Sequence, residues 1–298
     1  MFTERSGGLG AAADRAPGQR RIWLCADDYG ISGAVNVAIR DLIVRGRINA
    51  TSVMVAAPGF SRWEAIPLNV LNSGAPRVAI GLHVTLTAPF RPLSKEFAPL
   101  RDGAFLPLKA MLTQALRHRL DQEALRREVA AQINAFTGAF GRAPDFIDGH
   151  QHVHLFPQVS AAVLGVVKET MPGAWVRQCG RPLLLAWRIS DRKALLLDVL
   201  SYRFRRRAKA LGVRTNPGFA GAYEFHDQAN FATLFPRFLD RLPDGSVVMC
   251  HPGFVDAELR RLDPVTDLRE REYAYFIDDA FPSVLARQGV ALACRRLT

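Results

Sequence analysis

No stretch of this chain approaches the roughly 18 consecutive apolar residues that a membrane-spanning helix requires. The longest candidates, P-L-L-L-A-W and A-L-L-L-D-V-L, are short and flanked by charge, so an integral membrane protein is not expected. Cysteine is scarce as well. Cys25, Cys179, Cys250 and Cys294 are scattered without a C-x-x-C pair, which argues against a disulfide frame or a zinc knuckle and suits reduced thiols in the cytoplasm. There is no Gly/Ser linker, no internal repeat and no low-complexity tract beyond residues 1–20. Those twenty residues lack the apolar core of a secretory signal and read as a loose tail ahead of one domain spanning 21–298. Acidic residues are few, 28 against 39 Lys and Arg, for a net charge of +11. No nucleic-acid motif accompanies that excess, so a nucleic-acid partner is not expected.

What is present fits an ordinary globular domain: 298 residues, 49% hydrophobic and 22% charged. Short apolar runs recur at Arg21–Ala26, Ala50–Val55, Val78–Leu86, Asp145–Gly149, Ala174–Gln178, Ser246–His251 and Val290–Ala293. Helical periodicity fills gaps between them at Ala34–Arg45, Leu120–Phe140, Gln158–Thr170 and Leu268–Arg287, with stops at Gly46, Gly141 and Gly289. Alternation of strand and helix means a parallel sheet, and about seven units predict an α/β fold, a distorted TIM-like (β/α) barrel. The stretch 87–108, T-A-P-F-R-P-L-S-K-E-F-A-P-L-R-D-G-A-F-L-P-L, is long and aperiodic and reads as a lid over one end.

Polar side chains gather at the carboxyl ends of the predicted strands. The first runs into Asp27-Asp28-Tyr29-Gly30, the third carries His83, the fourth runs into His150, the fifth carries Arg177 and the sixth ends at His251-Pro252-Gly253. In β/α barrels that end is where chemistry is built. Adjacent carboxylates repel and need a cation or hydrogen bonds to hold them. The alternative is that one caps a helix and the other is solvated. A lone His83 in an apolar strand would be a hydrogen-bonded core residue; the aspartate pair makes it a candidate ligand.

The stretch D-F-I-D-G-H-Q-H-V-H-L-F-P places His150, His152 and His154 at alternating positions. Extended, they share one face at about 6.6 Å per two residues, and the first and third lie too far apart for one ion. If a helix begins after Gly149, His150 and His154 become i and i+4 neighbours instead. Two histidines and a carboxylate with open positions form a site that binds a divalent metal such as Zn, Mg, Mn, Co or Fe(II) and activates water or substrate. A second carboxylate beside it suits a general base, and a histidine on the opposite wall, such as His251, a general acid.

A-D-D-Y-G-I-S, A-T-S-V-M-V, G-L-H-V-T-L-T, D-G-H-Q-H-V-H-L-F-P and a late H-P-G, in this order from about Arg21 onward, together resemble the YdjC/ChbG-type carbohydrate deacetylases. The resemblance implies a (β/α) barrel that removes an acetyl group from an N-acetylated amino sugar with a divalent metal. By position, Asp27 resembles the family's catalytic base, and Asp28, His83 and His150 its metal ligands. His251 resembles its general acid and Arg177 an arginine that orients the base. His152 and His154 are expected to orient ligands or line the sugar pocket. Tyr29 stands where many relatives have Phe, a change not expected to touch the metal.

Between Arg177 and Arg214 the basic residues face only Asp191 and Asp198, and Leu195–Leu197, Val199, Leu200, Tyr202 and Phe204 are interleaved with them. A solvated arginine face is the plain reading; an amphipathic helix against an anionic membrane is the sharper one. Residues 181–214, with G-V-R-T-N-P-G-F-A-G, resemble the hopanoid-biosynthesis-associated (HpnK-like) branch. That implies N-acetylglucosamine carried on a lipid as substrate, and a cytoplasmic enzyme peripheral to the inner membrane face. Two other classes fit parts of the pattern. A non-haem iron oxygenase uses two histidines and one carboxylate but leaves Asp27 without a role. A non-catalytic glycolipid or membrane-surface binding protein would use the basic segment alone.

Overall fold

A computed structural model describes residues 18–73, 78–181, 192–225 and 229–293, so most of the expected tail lies outside the described residues. In chain order the strands are β1 Arg20–Tyr29, β2 Ala50–Val53, β3 Ala79–Val84, β4 Phe146–Gly149, β5 Trp175–Val176, β6 Arg214–Thr215, β7 Phe219–Ala220, β8 Ser246–Cys250 and β9 Val290–Leu292. Hydrogen-bonded neighbours run β6-β5-β4-β3-β2-β1-β8-β7, with β9 also on β1, and every pairing is parallel. The two outermost strands, β6 and β7, are consecutive in the chain. The sheet therefore curls into a barrel with its seam between them. Buried Asn216 sits at that seam; its amide donates to the carbonyls of Gln178 and Gly218 and its oxygen accepts from Gln178 N–H. The expectation of about seven strands missed β6 and β7, two residues each, too short to carry a periodicity.

β1 pairs with three strands, β2, β8 and β9. Its I-W-L-C-A run is buried on both faces, as a parallel strand sandwiched between side-chain layers must be. Where β9 gives way to β2 along its edge, the Asn49 side chain takes over the pairing. It accepts from Leu24 N–H and donates to the carbonyls of Ile22 and Ala293.

Helices α1 Gly33–Val44, α2 Arg62–Leu71, α3 Leu108–Leu116, α4 Gln122–Phe140, α5 Val159–Thr170, α6 Arg192–Leu211, α7 Phe231–Phe238, α8 Ala257–Leu262, α9 Asp267–Ile277 and α10 Phe281–Arg287 follow the strands. Ser32 and Asp121 cap α1 and α4, and Gly141 ends α4 in the left-handed region at φ 67°. The single helix expected at Leu268–Arg287 is two, α9 and α10, because Asp278 leaves the helical region and caps the next turn through Ala280 N–H. Residues 181–214, read as an insertion, contain α6, the crossover helix of the fifth unit; 182–191 lie outside the described residues.

One glycine fixes how closely the barrel interior packs. A Cβ on Gly81 of β3 would lie 2.4 Å from the Phe146 ring, which is itself stacked on Trp175 at 4.6 Å. Gly81→Ala is expected to cost about 1–3 kcal/mol through overpacking, read as a lowered urea midpoint at unchanged m; an unchanged midpoint would show that the ring can move aside.

Candidate active site

Alternation in a strand would send the side chains of Asp27 and Asp28 to opposite faces. Both are buried, because β1 carries a bulge here. Ala26 pairs with Thr51 and Tyr29 with Val53, so two residues of β1 oppose Ser52 alone, and Asp28 adopts φ 68°. Aspartate tolerates that left-handed conformation better than most residues, and the extra residue re-aims its side chain. The turn that follows is held by buried Asn36, whose oxygen accepts from Gly30 N–H and whose amide donates to Gly59 carbonyl and Glu64. Tyr29 points away, its hydroxyl donating to the Glu64 carbonyl and accepting from Arg40, consistent with a change that leaves the site alone.

Asp28 meets His83 from β3 and His150 just beyond β4. Its Oδ1 lies 3.4 Å from His83 Nε2 and 3.0 Å from His150 Nδ1. One ligand atom from each residue falls within 4.8 Å of the others, and all three residues are buried. Ligand bonds of about 2.0–2.2 Å put such a set within reach of one ion. His83 is pre-oriented: its Nδ1 lies 2.5 Å from Asp148 Oδ1, which leaves Nε2 facing Asp28. His83 and Asp148 are direct register partners across β3 and β4. A carboxylate behind a ligand histidine fixes its tautomer. The donor set therefore fits a divalent cation. The other oxygen of Asp28 accepts from Arg269 of α9 at 2.6 Å, and Arg269 also donates to Asp263 at 2.9 Å. Burial pushes the Asp28 carboxyl upward, but Arg269 and His150 outweigh it and hold it well below the usual range.

Asp27 faces a different partner. Arg177, just past β5, donates from Nη2 to both Asp27 oxygens at 2.9 Å and also to Asp148. Ser52 donates to Asp27 Oδ1 at 3.2 Å. Burial raises this carboxyl, but Arg177, then His83 and His251, pull it below its ordinary value. Asp27 is thus held as a carboxylate by Arg177, apart from the Asp28 cluster. Cys25, Asp27 and Asp148 also lie within ligand reach of one another, but the guanidinium already occupies the carboxylates.

His251 sits at the end of β8, its ring edge-on to Phe225 at 5.3 Å and its backbone N–H donating to Glu272 at 2.6 Å. Burial, aided by Arg269, lowers its pKa. Glu272 also accepts from Tyr223 at 2.6 Å, and burial raises it to about 7.

The three alternating histidines take neither anticipated arrangement. His150–Leu155 form a 3₁₀ turn interrupted by left-handed Gln151 and His152 at φ 54° and 59°, so the rings diverge. His150 goes to Asp28. His152 lies 3.6 Å from Cys179 Sγ and edge-on to Phe219, and burial lowers its pKa to about 4. His154 is fully buried, donating from Nε2 to the Arg177 carbonyl at 2.8 Å, with burial lowering it to about 3. It supports the backbone of the arginine that holds Asp27. Segment 87–108 reaches the same place: Phe90 meets the His150 ring edge-on at 5.5 Å, and buried Glu128 of α4 accepts from the backbone of Leu93 and Ser94. A cavity at the opposite, amino-terminal end, lined by Trp23, Ala79, Trp175 and others, contains none of these groups.

Asp148, Arg269 and Glu272 were not anticipated. For Asp148 a signal existed, since it lies two residues before His150. Arg269 and Glu272 stand in D-L-R-E-R-E-Y, which reads as a solvated helix yet leaves both 1% exposed. Among the described residues the cysteines Cys25, Cys179 and Cys250 are free and buried, and no helix is long and apolar enough to cross a membrane.

A family model described as YdjC-like protein matches residues 21–287. A chitooligosaccharide deacetylase of Klebsiella pneumoniae is 30% identical over 242 residues, 80% of this chain and 83% of that protein. Another, of Escherichia fergusonii, is 29% identical over 248 residues, 82% of this chain and 85% of that protein. Among solved structures, a protein of Enterococcus faecalis described as a cellobiose-phosphate cleavage protein superposes with a TM-score of 0.69 at 22% identity, over 92% of this chain and 97% of that one. At that identity the likeness carries the fold.

Proposed function

The chain belongs to the YdjC-like family, and on that footing we propose that it is a divalent-metal-dependent hydrolase that removes the acetyl group from an N-acetylated amino sugar. The observation that carries the reading is the division of labour between adjacent carboxylates: Asp28 converges with His83 and His150, while Asp27 is held apart by Arg177. The deacetylase names of the relatives above support the reaction type. The finer reading is that the sugar is N-acetylglucosamine carried on a lipid such as a hopanoid, which the apolar and basic residues of 181–214 support.

Asp28, His83 and His150 would hold the cation. When bound there, it supplies Lewis acidity toward the acetamide carbonyl and lowers the pKa of a water. Asp27, ionised and fixed by Arg177, accepts the proton of the attacking water as its oxygen adds to the carbonyl carbon. Asp148 keeps the His83 ring from turning. The proton taken up by Asp27 passes through His251, which interacts electrostatically with Asp27, to the amide nitrogen as the C–N bond breaks. Acetate and the free amine result. Phe90 and segment 87–108 cover His150 and exclude water on that side.

The test is acetate release by metal-stripped protein from N-acetylglucosamine compounds, free and lipid-linked, with Zn, Mg, Mn, Co or Fe(II) restored singly. Activity should be absent after chelation and return with at least one ion, with acetate and amine formed one to one. Preference for the lipid-linked substrate supports the finer reading; no acetate with any ion or substrate would remove the coarser one.

A further inference from the structure

Helix α6 carries one acid, Asp198, and that acid is ion-paired with Arg181. Its inward stripe, Leu200, Ser201, Phe204 and Ala208, is buried against the barrel. Its outward face is unlike an ordinary solvated one. Leu195, Val199 and Tyr202 follow each other at four and three spacing and are 41%, 44% and 54% exposed, with Leu196 beside them at 40%. One turn further along the same face stand exposed Arg206, which stacks on the Tyr202 ring at 5.9 Å, and Lys209, with exposed Arg203 and Arg207 alongside. From Leu195 onward the face is therefore apolar as far as Tyr202 and cationic beyond it.

The apolar end lies nearest the catalytic mouth. α6 follows β5 and returns toward β6, so in a parallel barrel it starts at the carboxyl ends of the strands. Its middle is tied there: Ser201 Oγ accepts from Cys179 N–H, two residues past Arg177, and Phe204 packs edge-on to His154.

We infer that the outward face of α6 seats the catalytic end of the barrel on an anionic lipid bilayer. At about 1.5 Å per residue, Leu195–Tyr202 spans about 10 Å, comparable to the depth that interfacial helices bury at the headgroup boundary, about 5–10 Å. The cations that follow then fall at the level of lipid phosphates, each adding attraction that salt screens. A surface made for solvent would not group its large apolar side chains toward the mouth, and a gradient along the helix axis matches the polarity gradient of a membrane surface. The inference stands on α6 and is independent of the deacetylase reading.

The experiment is co-sedimentation of the full chain with phosphatidylcholine vesicles, with and without phosphatidylglycerol, at low and high salt. Binding is read without turnover. The wild type should pellet with phosphatidylglycerol vesicles at low salt and be released at high salt. Leu195→Asp/Val199→Asp should weaken binding at least about tenfold, and Arg206→Glu/Lys209→Glu should weaken it and flatten its salt dependence. All four positions are exposed, and an unchanged urea midpoint confirms folding. Failure of the wild type to bind any vesicle, or wild-type binding by both variants, overturns the inference. So does a wild-type dimer that Leu195→Asp/Val199→Asp converts to monomer, which would give the ridge to a second copy of the chain.

Discussion

Asp27→Asn should lower kcat by about 10²–10⁴, the span of general base catalysis, while leaving the stoichiometry of bound metal unchanged. The substitution is nearly isosteric; it removes the negative charge that the proposed mechanism uses to take the water's proton, and it leaves Arg177 one acceptor oxygen there instead of two. In the proposed site, Asp28, His83 and His150 would hold the cation with a separate set of oxygens and nitrogens. Arg177 retains Asp148 as an anionic partner, so the guanidinium is not stranded. Asp28→Asn gives the contrast, because it should weaken metal binding itself. The readouts are kcat at saturating metal, metal content after dialysis and the urea midpoint. Turnover within tenfold of wild type in metal-loaded Asp27→Asn would end the assignment of Asp27 as base, and loss of metal from that variant would merge the roles of the two carboxylates.

Why sequence reaches part of this arrangement follows from how each residue is placed. Strand ends are readable because a buried parallel strand is a run of apolar residues, and a polar residue closing such a run is conspicuous; Asp27, Asp28, His83, Arg177 and His251 were all found in this way. The bulge was not readable, since alternation forbids Asp27 and Asp28 from sharing a face and only the register against β2, with Asp28 at φ 68°, brings both inward. The same holds for His150, His152 and His154, where two left-handed residues scatter rings that any regular periodicity would have aligned. Arg269 and Glu272 were beyond reach for another reason. They come from a charged helix whose burial depends on where α9 docks, and docking is a tertiary fact. Asp148 was within reach, because His83 and a strand residue two before His150 must be neighbours if β3 and β4 pair, as they do.

Arg177→Met should be the most destabilising single change at the site. The guanidinium is fully buried and neutralises two buried carboxylates, Asp27 and Asp148, so its removal leaves uncompensated charge and should cost about 3–5 kcal/mol at neutral pH. The cost has a direction in pH. Asp27 titrates below its ordinary value in the fold, so its pairing contributes stability above the unfolded carboxyl pKa of about 3.9, and that contribution is lost as pH falls through the lower folded value. Without the arginine, the largest contribution opposing burial is gone, His83 and His251 remain, and the Asp27 pKa moves up. The variant's carboxyl then accepts a proton at higher pH than the wild type's, and the stability gap narrows on acidification. Urea midpoints of the chelated proteins from neutral pH down to about 4 measure this directly. Arg177→Lys separates charge from geometry: it keeps the cation but not the two-oxygen contact to Asp27, and should recover part of the stability while turnover stays impaired. A gap below about 1 kcal/mol, or one constant across pH, would mean that Asp27 and Asp148 are compensated by something other than Arg177, and the ionised state of the proposed base would need another source.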